Sequence, residues 1–291
     1  MNTESNQKLA EKIRAAFPRL AFTRVRRAGG EDHVALILDE KWIFRFPRTK
    51  TYERTLHTEL ELLSSLKKHR LPFKIPSYRW IERHKKFGGY AMIHGRKMTR
   101  TAVVRLDTAH TRTVAKQLAH FLTVLHTLPA QGGSGSARTV RSYAERYFDT
   151  RRAVIRTSIS SALLARLDFF FRHTYAQKIT PVPRKTWTHR DVRDDHILFD
   201  QKKQRIAGII DFGDADIGDP AFDFTSLWDY GAAFIDEIYR HYHGPKDGAF
   251  LHRSELHYLR WAADELYYAI LNGQTREAKR YRSVLEKNLP R

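Results

Sequence analysis

The distribution of apolar and polar residues predicts a β-rich first third of the chain. Segments 34–38 (VALIL) and 42–46 (WIFRF) consist mainly of β-branched, aromatic and other apolar residues, which are typical of strands. Between them, Asp39, Glu40 and Lys41 form a short polar interruption that suits a hairpin turn. We therefore expect two antiparallel strands here, joined by a tight turn.

Further along the chain, the apolar spacing changes to that of helices. Residues 71–95 are interpreted as strands broken by proline and glycine, and 186–213 as short strands. A QGGSGS segment at 131–136 predicts a flexible connection. Apolar residues three and four positions apart predict helices over 5–16, 51–69, 109–128, 139–156, 160–175, 222–243 and 254–287.

These elements predict an α+β fold with two lobes. We expect a small β-rich lobe over residues 1–93 and a large, mainly helical lobe over residues 94–291. A chain of 291 residues with 42% hydrophobic residues can bury two such cores. The composition therefore argues against a disordered protein.

Charge and composition narrow the classes of function. The net charge is +20, but the basic residues are spread along the chain with no recognisable nucleic-acid module around them, so we do not expect nucleic acid as the partner. No apolar stretch approaches the roughly 18 residues of a membrane span. The chain has no cysteine and its first residues do not resemble a secretory signal. We expect a cytoplasmic monomer.

Two acidic segments carry the candidate chemistry. Residues 188–200 (THRDVRDDHILFD) and 208–224 (GIIDFGDADIGDPAFDF) each join a loop of acids to a short apolar run. A hairpin between the two would bring Asp191, His196 and Asp211 together. Phosphoryl transfer needs such a set, because one carboxylate orients the acceptor hydroxyl and others hold the metal ions on the nucleotide phosphates.

Two further acids of the second segment are expected to have a different role. Asp219 and Asp223 flank the short apolar run Pro-Ala-Phe, which follows the candidate metal ligand. Aspartate is a common cap of helices and turns. We interpret both residues as caps.

The two segments resemble the signatures of the aminoglycoside phosphotransferase superfamily, whose members are relatives of the protein kinases. The matching patterns are His-x-Asp…Asn and Ile-Asp-Phe-Gly-Asp…Gly-Asp-Pro…Asp. FGGYAMIHG (87–95) is similar to the hinge between the lobes in the branch that modifies the 2″ hydroxyl. The resemblance implies a bilobal, protein-kinase-like fold and an O-phosphotransferase that uses ATP or GTP with Mg²⁺. It also implies that the lobe 1–93 binds the nucleotide and that the lobe 94–291 is catalytic and binds the substrate.

The resemblance also implies roles for residues of the catalytic loop. Asp191 corresponds to the catalytic carboxylate and Asp211 to the main metal ligand, while His189 would hold the loop and Arg193 could contact phosphate. The chain departs from the common pattern at His196, where asparagine is the usual metal ligand. Magnesium prefers oxygen ligands, so three interpretations stay open: His196 ligates the metal, acts through water, or supports the loop.

A second departure lies on the third strand. Arg45 stands where many kinases carry a phosphate-binding lysine. An arginine can pair with phosphates and with a helix glutamate, although its planar fork is not equivalent to the point charge of lysine. Glu59 is the first candidate for the partner, because it shares the apolar face of its predicted helix, and Glu61 is the second.

The remaining nucleotide contacts follow from the resemblance. The main chain at Gly29 and Gly30 would approach the phosphates. At the hinge, main-chain groups near Ile93 and His94 would pair with the purine, and Tyr90 would influence whether ATP or GTP fits.

The acceptor is expected to be an aminoglycoside. Such a polycation would need local acids despite the positive net charge, and the candidates are Asp195, Asp229, Asp264 and Glu265. A macrolide or a metabolic alcohol such as choline or a sugar is the alternative within the same reaction class. A non-catalytic protein that binds nucleotide or polyanions is the alternative of another class.

Overall fold

The structure is a computed structural model, and not every residue of the chain is described by it. The predicted nucleotide loop at Gly29 and Gly30 and the predicted connection at 131–136 lie outside the described residues. The described residues are 4–28, 33–130, 148–179, 182 and 184–290.

Helices and strands are numbered in chain order. The helices are α1 (Asn6–Ala16), α2 (Lys50–Leu66), α3 (Arg100–Val104), α4 (Thr108–Thr127), α5 (residues 148–155), α6 (Ser161–Phe169), α7 (Ala176–Lys178), α8 (Ala232–His241), α9 (Phe250–Leu271) and α10 (Thr275–Asn288). The strands are β1 (Val25–Ala28), β2 (His33–Leu38), β3 (Trp42–Pro47), β4 (Tyr78–Ile81), β5 (Gly88–Ala91), β6 (Arg96–Lys97), β7 (Thr186–Thr188), β8 (Ile197–Asp200), β9 (Arg205–Ile209) and β10 (Asp216–Gly218).

The chain divides into two compact units. The first consists of Met1–Val124 and Arg193–Ala215, and the second of Leu125–Val192 and Asp216–Arg291. The first unit contains both larger sheets, and the second unit is mainly helical. The predicted α+β class is therefore confirmed, while the predicted lobe boundary after residue 93 stays a prediction.

The first unit is built around a five-stranded antiparallel sheet with the strand order β1-β2-β3-β5-β4. The predicted hairpin joins β2 to β3, and its turn residues Asp39 and Glu40 have φ of 51° and 53°. Two consecutive residues with positive φ match a turn whose twist suits a hairpin. The Asp39 carboxylate accepts the backbone N–H of Arg24 at 2.7 Å, which offsets part of the strain.

One core of this unit lies between α1 and the five-stranded sheet. Gly89 on β5 permits the closest approach, because a Cβ at this position would lie 2.6 Å from the ring of Phe44. Only glycine therefore leaves room for Phe44 in the core. The buried side chains of this core are Leu9, Ala10, Ile13, Leu20, Phe22, Val34, Leu36, Leu38, Phe44, Phe46 and Phe87.

A second sheet of the same unit carries the end of the acidic loop. Strands β6, β8 and β9 pair antiparallel in that order, and Ile197 of β8 faces Ile209 of β9. The pairing extends one residue beyond the two strands, because the Ile210 N–H donates to the His196 carbonyl at 3.0 Å. The residues before β8 and after β9 are thereby held at the same edge of the sheet.

The second unit is mainly helical. Residues Phe170–Tyr175 continue α6 as a π-helix, and β7 pairs with β10 in a short antiparallel ribbon. The helices α5, α6, α9 and α10 contribute to one core, and its buried side chains are Phe148, Ile155, Leu163, Leu167, Phe170, Phe171, Tyr175, Ile179, Leu256, Leu259, Ala262, Ala263, Leu266, Tyr281, Leu285 and Leu289.

Two predicted helices are interrupted in the structure. Instead of one helix over 222–243, there are 3-10 helices at Pro220–Phe224 and Ser226–Tyr230 followed by α8. Gly231, which lies between the second 3-10 helix and α8, has a φ of 104°. The predicted helix 254–287 is two helices, α9 and α10, separated at Gly273 with a φ of 65°. The apolar spacing continues across both breaks, so periodicity alone does not reveal them.

Candidate active site

Arg45 is the centre of a buried ion-pair network in the first unit. It lies on β3, and its Nη1 donates to both carboxylate oxygens of Glu59 on α2 at 2.9 and 3.1 Å. The Glu59 side chain is fully buried and that of Arg45 is 7% exposed. Glu61, the other candidate partner, is exposed.

The second terminal nitrogen of Arg45 has two further acceptors. Nη2 donates to Asp211 Oδ1 at 2.6 Å and approaches His33 Nδ1 at 3.3 Å. Each of the two terminal nitrogens thus has two acceptors for its two hydrogens. The pKa of Arg45 is raised well above its ordinary value, because the nearby carboxylates of Glu59 and Asp211 outweigh the cost of burial.

His33 is a member of this network that sequence analysis missed. Since a guanidinium only donates, His33 Nδ1 must be the acceptor and Nε2 must carry the ring hydrogen. Burial, followed by the charge of Arg45, lowers the pKa of His33 to about 4, so the ring is neutral near pH 7. The available signal was a histidine at the start of a buried strand that follows a glycine pair, which does not by itself indicate a contact with Arg45.

His196 and Asp211 are brought together by the β8–β9 hairpin. His196 Nε2 lies 3.5 Å from Asp211 Oδ2, while the other carboxylate oxygen of Asp211 faces Arg45. Asp211 has a φ of 67°, a conformation that residues other than glycine seldom adopt. Strain of this kind persists where surrounding contacts fix the residue, and it is frequent at functional sites.

The ligand atoms at Asp211 fit a magnesium ion that would also bind the phosphates of a nucleotide. The Asp211 side chain is 41% exposed, so one carboxylate is accessible from solvent. Protein-bound Mg²⁺ commonly has one or two carboxylate ligands and takes its other ligands from phosphates and water. Within the described residues, no group of three or more His, Asp or Glu side chains forms a ready-made metal site, so phosphate and water oxygens would have to complete the coordination.

The candidate hinge follows β5. The ring of Tyr90 is buried and packs edge-on against Tyr78 with 5.1 Å between centroids. Ile93 is also buried, and a Cβ on Gly208 of β9 would lie 2.6 Å from its Cγ2. His94 is exposed. Tyr90 and Ile93 are therefore packed inside the first unit, whereas the His94 side chain faces solvent.

In the second unit, a buried carboxylate holds the loop that carries Asp191. Asp223 is 1% exposed and accepts the backbone N–H groups of His189 at 2.8 Å and Arg190 at 2.7 Å. It also contacts His126 Nε2 at 3.0 Å. Arg190 has a φ of 69°, which brings its N–H and that of His189 onto the same carboxylate. The predicted capping role is wrong for Asp223, because its oxygens bind this loop.

Further contacts fix the rest of the loop. The Asp191 N–H donates to His189 Nδ1 at 3.3 Å, so the buried imidazole supports the next turn of the backbone. Ser226 Oγ donates to the Val192 carbonyl at 2.6 Å. The backbone on both sides of Asp191 is therefore held by groups of the same unit.

Asp219 caps a helix, as predicted, and is also part of a second ion-pair network. Its carboxylate accepts the Ala221 N–H at 3.1 Å and the Arg253 Nε–H at 2.7 Å, and lies 3.6 Å from His257 Nε2. Burial opposes its ionisation, but the contacts with His257 and Arg253 prevail and lower the pKa of Asp219 to about 2. Asp219 therefore stays ionised at neutral pH.

The acids predicted to bind a cationic acceptor are engaged with basic side chains. Asp195 forms ion pairs with Lys97 and Arg193 in the first unit. In the second unit, Asp229 contacts Arg280 Nη2 at 2.6 Å and accepts the Tyr258 hydroxyl at 2.9 Å.

The third of these acids, Asp264, is buried and also paired. It contacts Arg260 Nη1 at 2.8 Å and Arg151 Nε at 3.2 Å. Glu265, the fourth, is half-buried on α9. A cationic acceptor would therefore have to compete with arginine or lysine for Asp195, Asp229 and Asp264.

The predicted set of Asp191, His196 and Asp211 is divided between the two units. His196 and Asp211 belong to the first unit and Asp191 to the second. Arg193, predicted to contact phosphate, pairs with Asp195 Oδ2 at 3.4 Å in the first unit. The joint action of Asp191 with the metal-binding residues stays a prediction.

Comparisons with known proteins identify the family. A family model described as a phosphotransferase enzyme family matches residues 23–261. A search of curated proteins by sequence found no match.

Among solved structures, the chain is similar to the GDP and kanamycin complex of APH(2″)-IIIa, with a TM-score of 0.77, 22% identity and coverage of 96% of this chain and 97% of the other. It is also similar to the streptomycin–ATP complex of APH(2″)-IIa (TM-score 0.65, 17% identity, coverage 95% and 97%). A third similar structure is the macrolide 2′-phosphotransferase MphH from Brachybacterium faecium (TM-score 0.62, 18% identity, coverage 98% and 98%).

The chain belongs to the phosphotransferase enzyme family, since the family model covers most of its length. The predicted fold, with a small antiparallel-sheet N-lobe and a helical C-lobe, is confirmed by the similar structures. The predicted enzyme class, a phosphotransferase, is confirmed as well.

We predict that Asp223→Asn lowers the free energy of unfolding by about 2–4 kcal/mol, because it removes a buried charge that accepts three hydrogen bonds. Phosphotransferase activity should fall with it, since the loop of Asp191 loses its anchor. Urea unfolding and steady-state kinetics measure the two effects. Asp236→Asn, the same change at an exposed position, is the control, and equal stability of the two variants would contradict the anchoring role.

We predict that His33→Leu lowers the free energy of unfolding by about 1–3 kcal/mol, because one buried N–H of Arg45 loses its acceptor. His33→Asn should lose no more than half as much free energy of unfolding as His33→Leu, since the amide oxygen can accept in place of Nδ1. Thermal and urea unfolding of the three proteins provide the measurement. If leucine were as well tolerated as asparagine, the hydrogen bond to Arg45 would have no part in the role of His33.

Proposed function

We propose that this protein transfers the γ-phosphoryl group of ATP or GTP to a hydroxyl of a small molecule, with Mg²⁺ as the cofactor. The observation that carries the proposal is the network of Arg45, Glu59 and Asp211, with His196 at the far oxygen of Asp211. It combines a fixed cation with a carboxylate that is accessible from solvent. Phosphoryl transfer relies on this combination to bind phosphates and neutralise their charge.

In this proposal, the first unit binds the nucleotide. Asp211 holds the metal, and His196 either ligates it or orients the Asp211 carboxylate at 3.5 Å. The metal would neutralise charge that develops on the phosphates. Arg45 contacts a phosphate when its Nη2 is released from Asp211. The main chain at Ile93 and His94 pairs with the purine, and the buried Tyr90 limits its size.

The second unit supplies Asp191 to the acceptor. We propose that its carboxylate accepts a hydrogen bond from the acceptor hydroxyl and takes its proton as the phosphoryl group is transferred. The contacts of Asp223 and Ser226 with the loop hold the backbone next to Asp191. Such a fixed base contributes by position, because orientation replaces part of the entropy that a free reactant would lose.

As acceptor we propose an aminoglycoside. The support is the likeness, over nearly the full chain, to structures of enzymes bound to kanamycin and to streptomycin. The partly exposed Glu265 could bind one of its ammonium groups. Repulsion by the net charge of +20 is screened beyond about 8 Å at physiological salt, so near carboxylates can dominate.

A second candidate is a macrolide or an uncharged metabolic alcohol. It is favoured by the pairing of Asp195, Asp229 and Asp264 with lysine and arginine, which leaves little unmatched negative charge at these positions. The chain is also similar to a macrolide 2′-phosphotransferase.

Either acceptor is consistent with a cytoplasmic enzyme, which we propose to be monomeric. No helix in the described ranges has the length and apolar character needed to cross a membrane.

We predict that Asp191→Asn reduces kcat by at least about a hundredfold and changes the Kd of the nucleotide by less than about threefold, because it removes the acceptor-side base.

Asp211→Ala should abolish activity and weaken binding of Mg²⁺–nucleotide together, since it removes the charged metal ligand. Single-turnover kinetics and calorimetric nucleotide titrations with and without Mg²⁺ separate the two effects. Near-parental turnover of Asp191→Asn, or unchanged magnesium dependence in Asp211→Ala, would rule out the assigned role.

The acceptor is tested by a phosphotransfer screen of aminoglycosides, macrolides, choline and sugars, each with ATP and with GTP. We expect turnover with at least one aminoglycoside and loss of it in Asp191→Asn. Turnover confined to macrolides, choline or sugars would reject the aminoglycoside and leave phosphotransfer intact. A protein that binds nucleotide but is not stimulated by any of these compounds would support the non-catalytic alternative.

A further inference from the structure

A cationic cavity lies on the first unit between the hairpin β8–β9 and the segment that precedes β4. Its volume is about 220 Å³, which is enough for a compact anion. Nine residues from separate parts of the sequence line it: Pro72, Phe73, Lys74, His94, Asp200, Lys203, Arg205, Ile206 and Ala207. We refer to it as the hairpin cavity.

The backbone fixes the walls of this cavity. The Lys74 N–H donates to the Ala207 carbonyl at 3.0 Å, and the Ile209 N–H donates to the Lys74 carbonyl at 3.1 Å. Gly208 makes this approach possible, because a Cβ there would lie 2.7 Å from the Lys74 carbonyl oxygen. The cavity is thus formed by paired backbone and does not depend on side-chain conformation alone.

Positive charge is concentrated around the hairpin cavity and is only partly balanced. Lys74, Lys203 and Arg205 all line it, and within the described residues neither Lys74 nor Arg205 has an ion-pair partner. Lys203 Nζ is 4.0 Å from Asp200 Oδ2. The cost of placing like charges together falls when an anion binds among them.

The one acid in the cavity has another role. Asp200 Oδ1 accepts the backbone N–H groups of Lys202 at 3.0 Å and Lys203 at 3.1 Å, so its carboxylate holds the turn of the hairpin. The same turn presents Lys203 and Arg205 beside the cavity. Asp200 therefore helps to hold the hairpin that carries two of the cations. Its single negative charge is too small to neutralise the three positive charges that line the cavity.

We propose that the hairpin cavity binds a small oligophosphate anion, with the chemistry of pyrophosphate or tripolyphosphate. Such a ligand carries several charges in a compact volume, and lysine and arginine are the side chains that bind phosphate by charge-assisted hydrogen bonds. A peptide carboxylate carries a single charge, and a nucleic-acid strand carries one charge per phosphate along an extended backbone. The proposal goes beyond the phosphotransferase reaction and does not require it.

The test is calorimetric titration of the purified full-length protein with sodium tripolyphosphate, without divalent ions. Lys203→Glu/Arg205→Glu reverses two cations of the cavity and should weaken binding at least tenfold. Lys203→Gln/Arg205→Gln should give a smaller loss. The matched control is Lys85→Glu/Lys86→Glu, which changes the net charge equally at exposed residues that do not line the cavity. We expect the control to bind within about twofold of the parent, since screening suppresses its effect at a distance.

Two further arms identify the site and the class of ligand. Saturation with a non-hydrolysable nucleotide, likewise without divalent ions because Mg²⁺ chelates tripolyphosphate, should leave tripolyphosphate binding unchanged, whereas displacement would place the anion in the nucleotide site and overturn the proposal. Equal losses in the cavity variant and the control, or no binding to the parent at about 1 mM tripolyphosphate, would do the same. Tighter, salt-sensitive binding of a single-stranded oligonucleotide would instead identify a nucleic-acid surface. Thermal unfolding verifies that each variant is folded.

Discussion

The structure depends on the rule that a charge removed from water needs partners. An unpaired buried charge costs several kcal/mol, and even a well-paired one adds little net stability. Arg45 satisfies the rule with Glu59, Asp211 and His33, and Asp223 satisfies it with two backbone N–H groups and His126. Such pairs are better explained as devices that fix particular side chains and loops than as sources of stability.

The two units apply this rule in different ways. In the first, the buried charge is a cation whose partners come from a strand, a helix and a hairpin. In the second, it is an anion whose partners are mainly backbone groups of one loop. The first arrangement fixes the direction of a side chain, while the second fixes the course of the main chain. Both have positive φ angles close by, at Asp211 and at Arg190, where local conformation is unfavourable without such support.

Much of the fold could be predicted because it depends on local patterns. The β2–β3 hairpin follows from strand-forming residues around Asp39 and Glu40, and Glu59 was the first candidate partner of Arg45 from its position on a helical face. The breaks at Gly231 and Gly273 were missed because apolar spacing continues across them. Side-chain partners far apart in sequence were missed for a different reason. Neither the contact of His33 with Arg45 nor the pairing of Asp229 with Arg280 and of Asp264 with Arg151 leaves any periodic trace.

The full occupancy of the Arg45 fork has a thermodynamic consequence. Its two terminal nitrogens already face four acceptor atoms, so a phosphate oxygen gains this donor only by exchange with one of them. Under the proposed roles, a cation that takes up Asp211 weakens its hold on Nη2 and frees that nitrogen for the nucleotide. Metal and nucleotide then bind with positive cooperativity, and linkage requires that each raises the affinity of the other by the same factor. The magnitude of that factor measures how strongly the Asp211 carboxylate competes with a phosphate oxygen for Nη2 of Arg45.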